Sequence, residues 1–412
     1  MLLKCPKFFL FLFFLTFANV ALAQEEIIEK ESNIDFGMNF RSFLLYNDNY
    51  DFPLFFEEKG QDDTTSHNIF RLTMSYKPTD WFHSEAHILQ SFIYNSDVLE
   101  PISEFSRRYR AKDLSWEQRD HNQSRIATTI DRLNATFIMP KADLTIGRQP
   151  ISFGKAFFWN PLDIFSPFDP AQLDRDYKAG VDAARLDIPL GNFSGINLIT
   201  VAGREPEKDN PTWDGSAAIA RGFTNVNGWD LSVQGGKIFA GEHIGAGFSG
   251  EIEKIEFRGE IQNFYVDNDY KNIMEDYSSG VLGIGYNFDN TINIQAEYFY
   301  NGAGEPDNLN LALDRMQQGF MKNMSRNLAG LSVSYDITPV FISRISTIVS
   351  LDDDSYQIQP DITYGISDNI DFIIAAIINR GNRPIDDSGE AVINSEFGTY
   401  PDIYFAELKV YF

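Results

Sequence analysis

Hydrophobic and polar residues alternate along most of the chain, in segments of about ten residues. Residues 70–77 show the pattern, with Phe70, Leu72, Met74 and Tyr76 on one face and Arg71, Thr73, Ser75 and Lys77 on the other. Successive side chains of a β-strand point to opposite faces, so a period of two predicts strands with one apolar and one polar face. Similar segments cover 82–94, 254–262, 292–300, 356–364 and 404–412, and helical periodicity is scarce.

The connections between these segments alternate between short and long. Short clusters of Gly, Pro, Asn or Asp, which reverse the chain at low cost, occur at 78–80, 140–142, 191–192, 225–228, near Gly250, and at 287–290, 338–339 and 367–369. Longer stretches lie between them, for example the polar segments 47–66, 95–123, 154–179, 302–326 and 381–396. Short turns at one end and long loops at the other are typical of transmembrane β-barrels.

Eight short turns and nine longer loops join eighteen strands, which places both chain ends on the short-turn side. Residues 193–250 alternate weakly, so sixteen strands are the alternative. A sheet in lipid must close, because an open edge would leave backbone groups unpaired. The sequence therefore predicts an all-β protein, a transmembrane antiparallel up-and-down β-barrel with short periplasmic turns and long outer loops.

Composition and charge exclude several other classes of protein. Of the 412 residues, 43% are hydrophobic and 14% aromatic, too many for a disordered chain. Only the extreme N-terminus approaches the roughly 18 apolar residues of a transmembrane helix. A formal net charge of -25 argues against nucleic acid as a partner, since phosphate backbones require a basic surface.

The N-terminus is typical of a cleaved signal peptide. Lys4 and Lys7 precede an apolar segment at 8–17, and Ala21 to Ala23 form a small-residue cleavage site. We therefore expect a signal peptide at 1–23, a polar lead-in at 24–34 and a single barrel domain at 35–412. The only cysteine, Cys5, lies inside the predicted signal peptide, so no disulfide is expected.

The last segment resembles the C-terminal signal of outer-membrane barrels. Leu408, Val410 and Phe412 occupy alternate positions, and Phe412 is the final residue. The resemblance implies recognition by the barrel-assembly machinery and localisation in the outer membrane of a Gram-negative bacterium. Outer-membrane lipids and lipopolysaccharide are then expected partners.

The polar face of the strands predicts the lining of a pore. The predicted lining residues are Arg41, Arg71, Lys77, His83, Glu85, His87, Arg132, Arg185, Asp187, Arg258, Glu260, Glu297, Arg344 and Asp361. Nine basic and eight acidic residues fall on this face in all, so net charge does not indicate cation selectivity. Two interpretations stay open: a transverse field across the pore, or ion pairs that hold the wall together.

Neither a metal site nor an enzyme is predicted. His83, Glu85 and His87 share one face, but side chains two apart on a strand are about 6.6 Å apart, which suits a wet wall better than a metal site. The sequence shows no nucleophile tied to a base, and we expect no cofactor.

The third long loop is too apolar to lie in water. Three prolines interrupt it, and its candidate constriction residues are Phe157, Phe158, Trp159, Asp163, Phe165, Phe168 and Asp169. We expect 154–179 to fold into the barrel as a constriction loop, with its charged residues meeting the basic wall around Arg148 and Arg185. The alternative is an outer lid packed on neighbouring loops.

Residues 147–187, which begin GRQPISFGKAFFWNP, resemble the GRQ-type segment of alginate-export and related porin-like outer-membrane channels. The resemblance implies a basic lumen for a polyuronate, whereas the predicted wall here is balanced in charge. The sequence therefore predicts a passive channel for small hydrophilic or amphipathic solutes. A surface structural or adhesion barrel and an export channel for an anionic polysaccharide are the alternatives, and assembly as a homo-oligomer stays open.

Overall fold

The computed structural model describes residues 33–50, 62–97, 108–165, 176–205 and 208–412. The predicted signal peptide and nearly all of the lead-in lie outside the described residues, as do Phe168 and Asp169.

The described chain is built almost entirely from antiparallel strands. They are β1 (Ile34–Asp48), β2 (Asp63–Thr79), β3 (Phe82–Asn95), β4 (Ser115–His121), β5 (Ser124–Met139), β6 (Ala142–Gln149), β7 (Val181–Gly191), β8 (Ser194–Gly203), β9 (Thr212–Val226), β10 (Trp229–Ile238), β11 (Gly241–Ile252), β12 (Ile255–Val266), β13 (Tyr277–Asn287), β14 (Ile292–Asn301), β15 (Asn327–Thr338), β16 (Phe341–Ser350), β17 (Tyr356–Ser367), β18 (Ile370–Arg380), β19 (Ile385–Asp387), β20 (Glu390–Val392) and β21 (Asp402–Tyr411). Helix α1 (Leu309–Gln317) and 3-10 turns at Asn268–Tyr270 and Phe397–Thr399 complete the described elements.

Eighteen of these strands form one closed barrel, which confirms the predicted fold class. β1 pairs with β2 on one side and with β21 on the other, from Asn39 opposite Tyr411 to Asp48 opposite Asp402. β4 is a short hairpin partner of the outer half of β5, and β19 pairs only with β20. The count is therefore eighteen and the sixteen-strand alternative is wrong, because residues 193–250 contain four wall strands, β8 to β11.

The weak alternation of that region has a physical cause. On β7, β8 and β9 the inner face is itself apolar, with Val181, Ile199, Val201 and Ile219 buried in one cluster. These strands have apolar residues on both faces, because their inner face is covered by other parts of the chain. Apolar and polar residues therefore alternate only weakly along them.

All eight predicted turns are present, each with at most four residues between strands. The turn between β9 and β10 places Asn227 and Gly228 at positive φ, which suits the tight reversal of a two-residue hairpin. At the opposite end the connections vary, from two residues between β10 and β11 to the 25 residues at 302–326 that contain α1. Loop length therefore distinguishes the two ends of the barrel.

The outer surface of the barrel is an apolar band bordered by exposed aromatic side chains. Phe36, Trp81 and Phe193 lie near the short-turn end, and Trp213 and Tyr265 lie near the long-loop end. Aromatic residues at both borders of an apolar band are typical of barrels that sit in a bilayer.

No helix within the described ranges is long and apolar enough to cross a membrane.

Candidate functional site

The strand register places the predicted lining residues on a common face. Arg41 lies opposite Lys409, Arg344 lies opposite Asp361, and Glu297 lies opposite Gly283, which in turn faces Arg258. Directly opposed residues of antiparallel strands share a face. The same face also contains Lys77, His83, Glu85, His87 and Arg132 on β2 to β5, and Arg185 and Asp187 on β7.

Most of the basic side chains on this face contact a nearby carboxylate. Arg41 forms a buried ion pair with Glu407, and Arg71 Nη1 lies 3.1 Å from Asp131 Oδ2. Similar wall pairs are Arg185–Asp187 at 2.8 Å, Arg258–Glu256 at 2.9 Å and Arg344–Asp361 at 2.9 Å. These contacts favour local pairing along the wall over a field between opposite walls.

Of the three polar residues predicted on β3, two approach each other and the third lies further along the strand. His83 Nε2 is 4.0 Å from Glu85 Oε1, while His87 is buried and lies two residues further along. The described ranges contain no group of three or more His, Cys, Asp or Glu side chains arranged to hold a metal ion.

The described first part of the loop, 154–165, and the residues leading into it pack against the inner wall. Ile151, Phe153 and Phe165 bury against the apolar inner faces of β7, β8 and β9. Wall positions that would be wet in an empty barrel are dry here because the loop covers them.

The aromatic part of the loop reaches the wall formed by β14, β15 and β16. The Trp159 ring stacks on Phe299 at 5.4 Å and 11°, and its Nε1 donates to Asn323 Oδ1 at 3.0 Å. Phe158 and Trp159 share a buried cluster with Leu328 and Ile348. This segment therefore lies inside the barrel, in contact with strands far from β6 and β7.

Two wall carboxylates bind the backbone of the loop. Glu260 on β12 accepts from Lys155 N at 2.6 Å and from Leu162 N at 3.0 Å. Glu297 on β14 accepts from Phe157 N at 2.5 Å and from Phe158 N at 2.8 Å. We name Glu260 and Glu297 the wall glutamates; both had been predicted only as lining residues.

The loop returns along the opposite wall. Lys409 Nζ donates to Asp176 Oδ2 at 2.7 Å, and Asn39 Nδ2 donates to the Tyr177 hydroxyl at 3.0 Å. The Arg71 guanidinium lies 3.9 Å from the Tyr177 ring centre. The two described parts of the loop, 154–165 and 176–179, therefore contact strands on opposite sides of the barrel.

Within the described part of the loop, two charged residues pair with each other and a third, Asp176, pairs with Lys409 on the wall. Asp163 forms a buried ion pair with Lys178 of the same loop, and burial raises the pKa of Asp163 and lowers that of Lys178 although the pairing opposes both shifts. Arg148 donates to Asp182, its direct neighbour on β7, at 2.7 Å. Arg148 has the opposite strand parity from Arg185, so the two arginines do not share one inner surface. The charged loop residues Asp169, Asp174 and Arg175 lie outside the described residues, and their contacts stay a prediction.

Two outer loops hold the aromatic segment from above. Phe397, in the loop before β21, packs in the same cluster as Phe158 and Trp159. The neighbouring Glu396 is fully buried and accepts from Asn323 Nδ2 at 3.1 Å and from Ser325 N at 2.6 Å. Asn323 thus joins Glu396 to Trp159. Sequence reasoning missed Asn323, Glu396 and Tyr177, since their roles arise from contacts between loops.

Glu396 is expected to make this loop contact sensitive to pH. Burial raises the pKa of Glu396 from 4.5 to about 7, and the carboxylate of Asp353 accepts the Glu396 backbone N–H. A raised carboxyl pKa stabilises the docked loops below pH 4.5, and this contribution is lost as the pH rises through 7, with a ceiling of about 3 kcal/mol. Hydrogen exchange at the Ser325 amide, corrected for its intrinsic rate, should accelerate from pH 5 to pH 8.

A Glu396→Gln variant is the control for this prediction, because a neutral amide cannot titrate. Its corrected exchange rate at Ser325 should be the same at both pH values. A wild-type rate that does not change with pH would contradict the prediction.

A cavity of about 350 Å³ lies between the loop and the outer parts of β10 to β14. Eight of its 22 lining residues are aromatic, among them Tyr109, Trp159, Phe239, Phe264, Tyr277 and Phe320. Arg108 supplies a cation, 3.6 Å from the Phe239 ring centre, and burial lowers its pKa to about 10. The cavity can therefore hold a small solute with both apolar and polar groups.

Solved structures share this fold, and one of them, OpdK, is an outer membrane protein. OccK7 (OpdD) of Pseudomonas aeruginosa superposes with a TM-score of 0.55 at 11% identity, over 92% of this chain and 98% of that one. OccAB2 of Acinetobacter baumannii gives 0.56 at 10% identity over 92% and 98%. The outer membrane protein OpdK of Pseudomonas aeruginosa gives 0.54 at 9% identity over 92% and 98%, and 0.55 in its structure with vanillate, at the same identity and coverage.

No protein-family model and no curated protein matches the sequence. These comparisons support the barrel fold and do not show the narrower resemblance to alginate-export channels.

Proposed function

We propose that this protein is an outer-membrane channel for the passive passage of small hydrophilic or amphipathic solutes, narrowed by the 154–179 loop. The observation that carries the proposal is a loop anchored across the inside of a closed eighteen-strand barrel, at both the wall glutamates and Lys409. An eighteen-strand barrel is wide enough for a water-filled lumen, and a loop inside it narrows that lumen.

Three further features support a membrane location. The apolar outer band has exposed aromatic residues at both borders, the fold is that of the outer membrane protein OpdK, and the sequence begins with the predicted signal at 1–23. In this proposal the barrel domain starts at residue 35, lipid and lipopolysaccharide surround it, and Leu408, Val410 and Phe412 bind the assembly machinery. Assembly as a homo-oligomer stays a prediction.

The solute class follows from the interior. Wall cations are mostly paired with carboxylates, while the cavity beside the loop is aromatic with a buried guanidinium. OpdK, which shares the fold, has been crystallised with vanillate, a small aromatic acid. A small amphipathic solute fits this chain better than a polyuronate, which would require a continuous unpaired basic surface.

Single-channel recording tests the proposal. The purified protein should insert into planar bilayers and give discrete, passive conductance steps, and liposomes containing it should swell in small sugars or amino acids. A correctly folded barrel that gives neither conductance nor swelling would overturn the proposal and favour the structural or adhesion alternative.

A further inference from the structure

The wall glutamates are buried in an unusual setting for carboxylates. Glu260 is 4% exposed and Glu297 5% exposed, on the inner faces of β12 and β14. Their oxygens accept loop backbone N–H groups, with four such bonds of 2.5 to 3.0 Å. Hydrogen bonds from N–H groups to an ionised carboxylate are shorter and stronger than neutral ones.

Loop and carboxylates depend on each other. A buried carboxylate without partners is strongly unfavourable, and a buried backbone N–H without an acceptor is unfavourable as well. With the loop docked, each buried group supplies the partner of the other, so replacing one of them while the loop stays docked would leave the other buried without its hydrogen bond.

The wall also has space shaped for the loop. A Cβ at Gly330 would lie 2.6 Å from the Phe158 ring, and a Cβ at Gly245 would lie 2.4 Å from the Leu162 side chain. A Cβ at Gly283 would lie 2.9 Å from Glu297 Oε1. Inward-facing glycines therefore leave room for the loop side chains and for the carboxylate that binds the loop.

We propose that Glu260 and Glu297 are positioning residues that hold the 154–179 loop at the constriction by binding its backbone amides as carboxylates, and so set the conductance of the pore. The effect on conductance rests on the proposed channel function, whereas the binding of the loop by these carboxylates does not depend on that function. Glutamine is the informative replacement, because its side chain has one acceptor oxygen instead of two. Its NH2 group would face the backbone N–H donors.

The experiment compares E260Q, E297Q and the double variant with E256Q. Glu256 lies on the same strand face as Glu260, but it accepts from Arg258 at 2.9 Å and from Asn287 at 2.9 Å rather than from the loop. The double variant should show roughly twofold higher unitary conductance with more open-channel noise. A displaced loop would leave more of the pore cross-section open to water and ions in a wide barrel. E256Q should match the wild type.

A second readout does not depend on conduction. Leu162 is buried at 1% exposure beside Glu260, so a Leu162→Cys thiol should react slowly with a water-soluble thiol reagent. In the E260Q/E297Q background the labelling rate should rise at least severalfold, and in the E256Q background it should stay slow.

The two readouts separate the possible failures. A silent wild type with fast labelling only in the double variant would overturn the channel function and retain the positioning role. A conducting wild type whose double variant shows unchanged conductance and unchanged labelling would overturn the positioning role.

Discussion

Deleting residues 156–170 should raise the unitary conductance severalfold and admit larger solutes. The deletion removes the aromatic segment that packs on Phe299, Leu328 and Ile348, together with three of the four amides bound by the wall glutamates. Water and ions then occupy the cross-section that these side chains fill. The wall should persist, because barrel closure depends on hydrogen bonds between strands.

The control is a deletion at the tip of the outer loop before β21, away from the Phe397 and Glu396 end of that loop, which contacts the constriction. Residues 386–390 form the exposed tip of the β19–β20 hairpin. Their removal should leave the open-state conductance at the wild-type value. An unchanged open-state conductance after deletion of 156–170 would show that the loop does not set the narrowest diameter, even if the barrel conducts.

An arginine at Leu282 should severely impair folding into lipid. Leu282 lies at the middle of β13 on the outer face and is 63% exposed. A charged side chain on the lipid face costs about 2–4 kcal/mol at the bilayer midplane and about 0–1 kcal/mol near the borders. The free energy of unfolding in liposomes should fall by an amount within the first range.

Ile252→Arg is the control for this variant. Ile252 is 55% exposed on the same outer face, but it ends β11 beside a short turn, where the headgroups would lie. We expect a loss of about 0–1 kcal/mol at this position. Equal losses for the two variants would mean that the band around Leu282 does not lie in the hydrocarbon core.

The strand framework could be predicted from the sequence because its causes are local. Side chains alternate on β2, β12, β14 and β17 because one face of each strand meets an apolar environment and the other meets the polar interior. Each turn contains residues suited to chain reversal, such as Asn227 and Gly228. Closure then follows from the cost of unpaired backbone in lipid. The alternation also placed the predicted lining residues on one face, although their function as a pore lining stays a proposal.

The loop could be predicted only in part. Four phenylalanines, one tryptophan and three prolines in a long connection indicated that it must be buried, but nothing in the sequence separates burial inside the barrel from burial under an outer lid. The weak alternation at 193–250 contained the information that decides between them. It reflects an apolar inner wall, and such a wall must be covered from inside the barrel. That pattern left sixteen strands open as an alternative.

By itself, the sequence determined the class of fold, the strand faces and the positions of the turns, since each depends on residues near one another in the chain. The tertiary structure alone decided that Glu260 and Glu297 bind the loop, that Gly245 and Gly330 make room for it, and that Asn323 joins Trp159 to Glu396. These partners lie tens to hundreds of residues apart along the chain. A glutamate on an inner face has the same local pattern whether it meets water or a loop amide, and only closure of the barrel around the loop distinguishes the two.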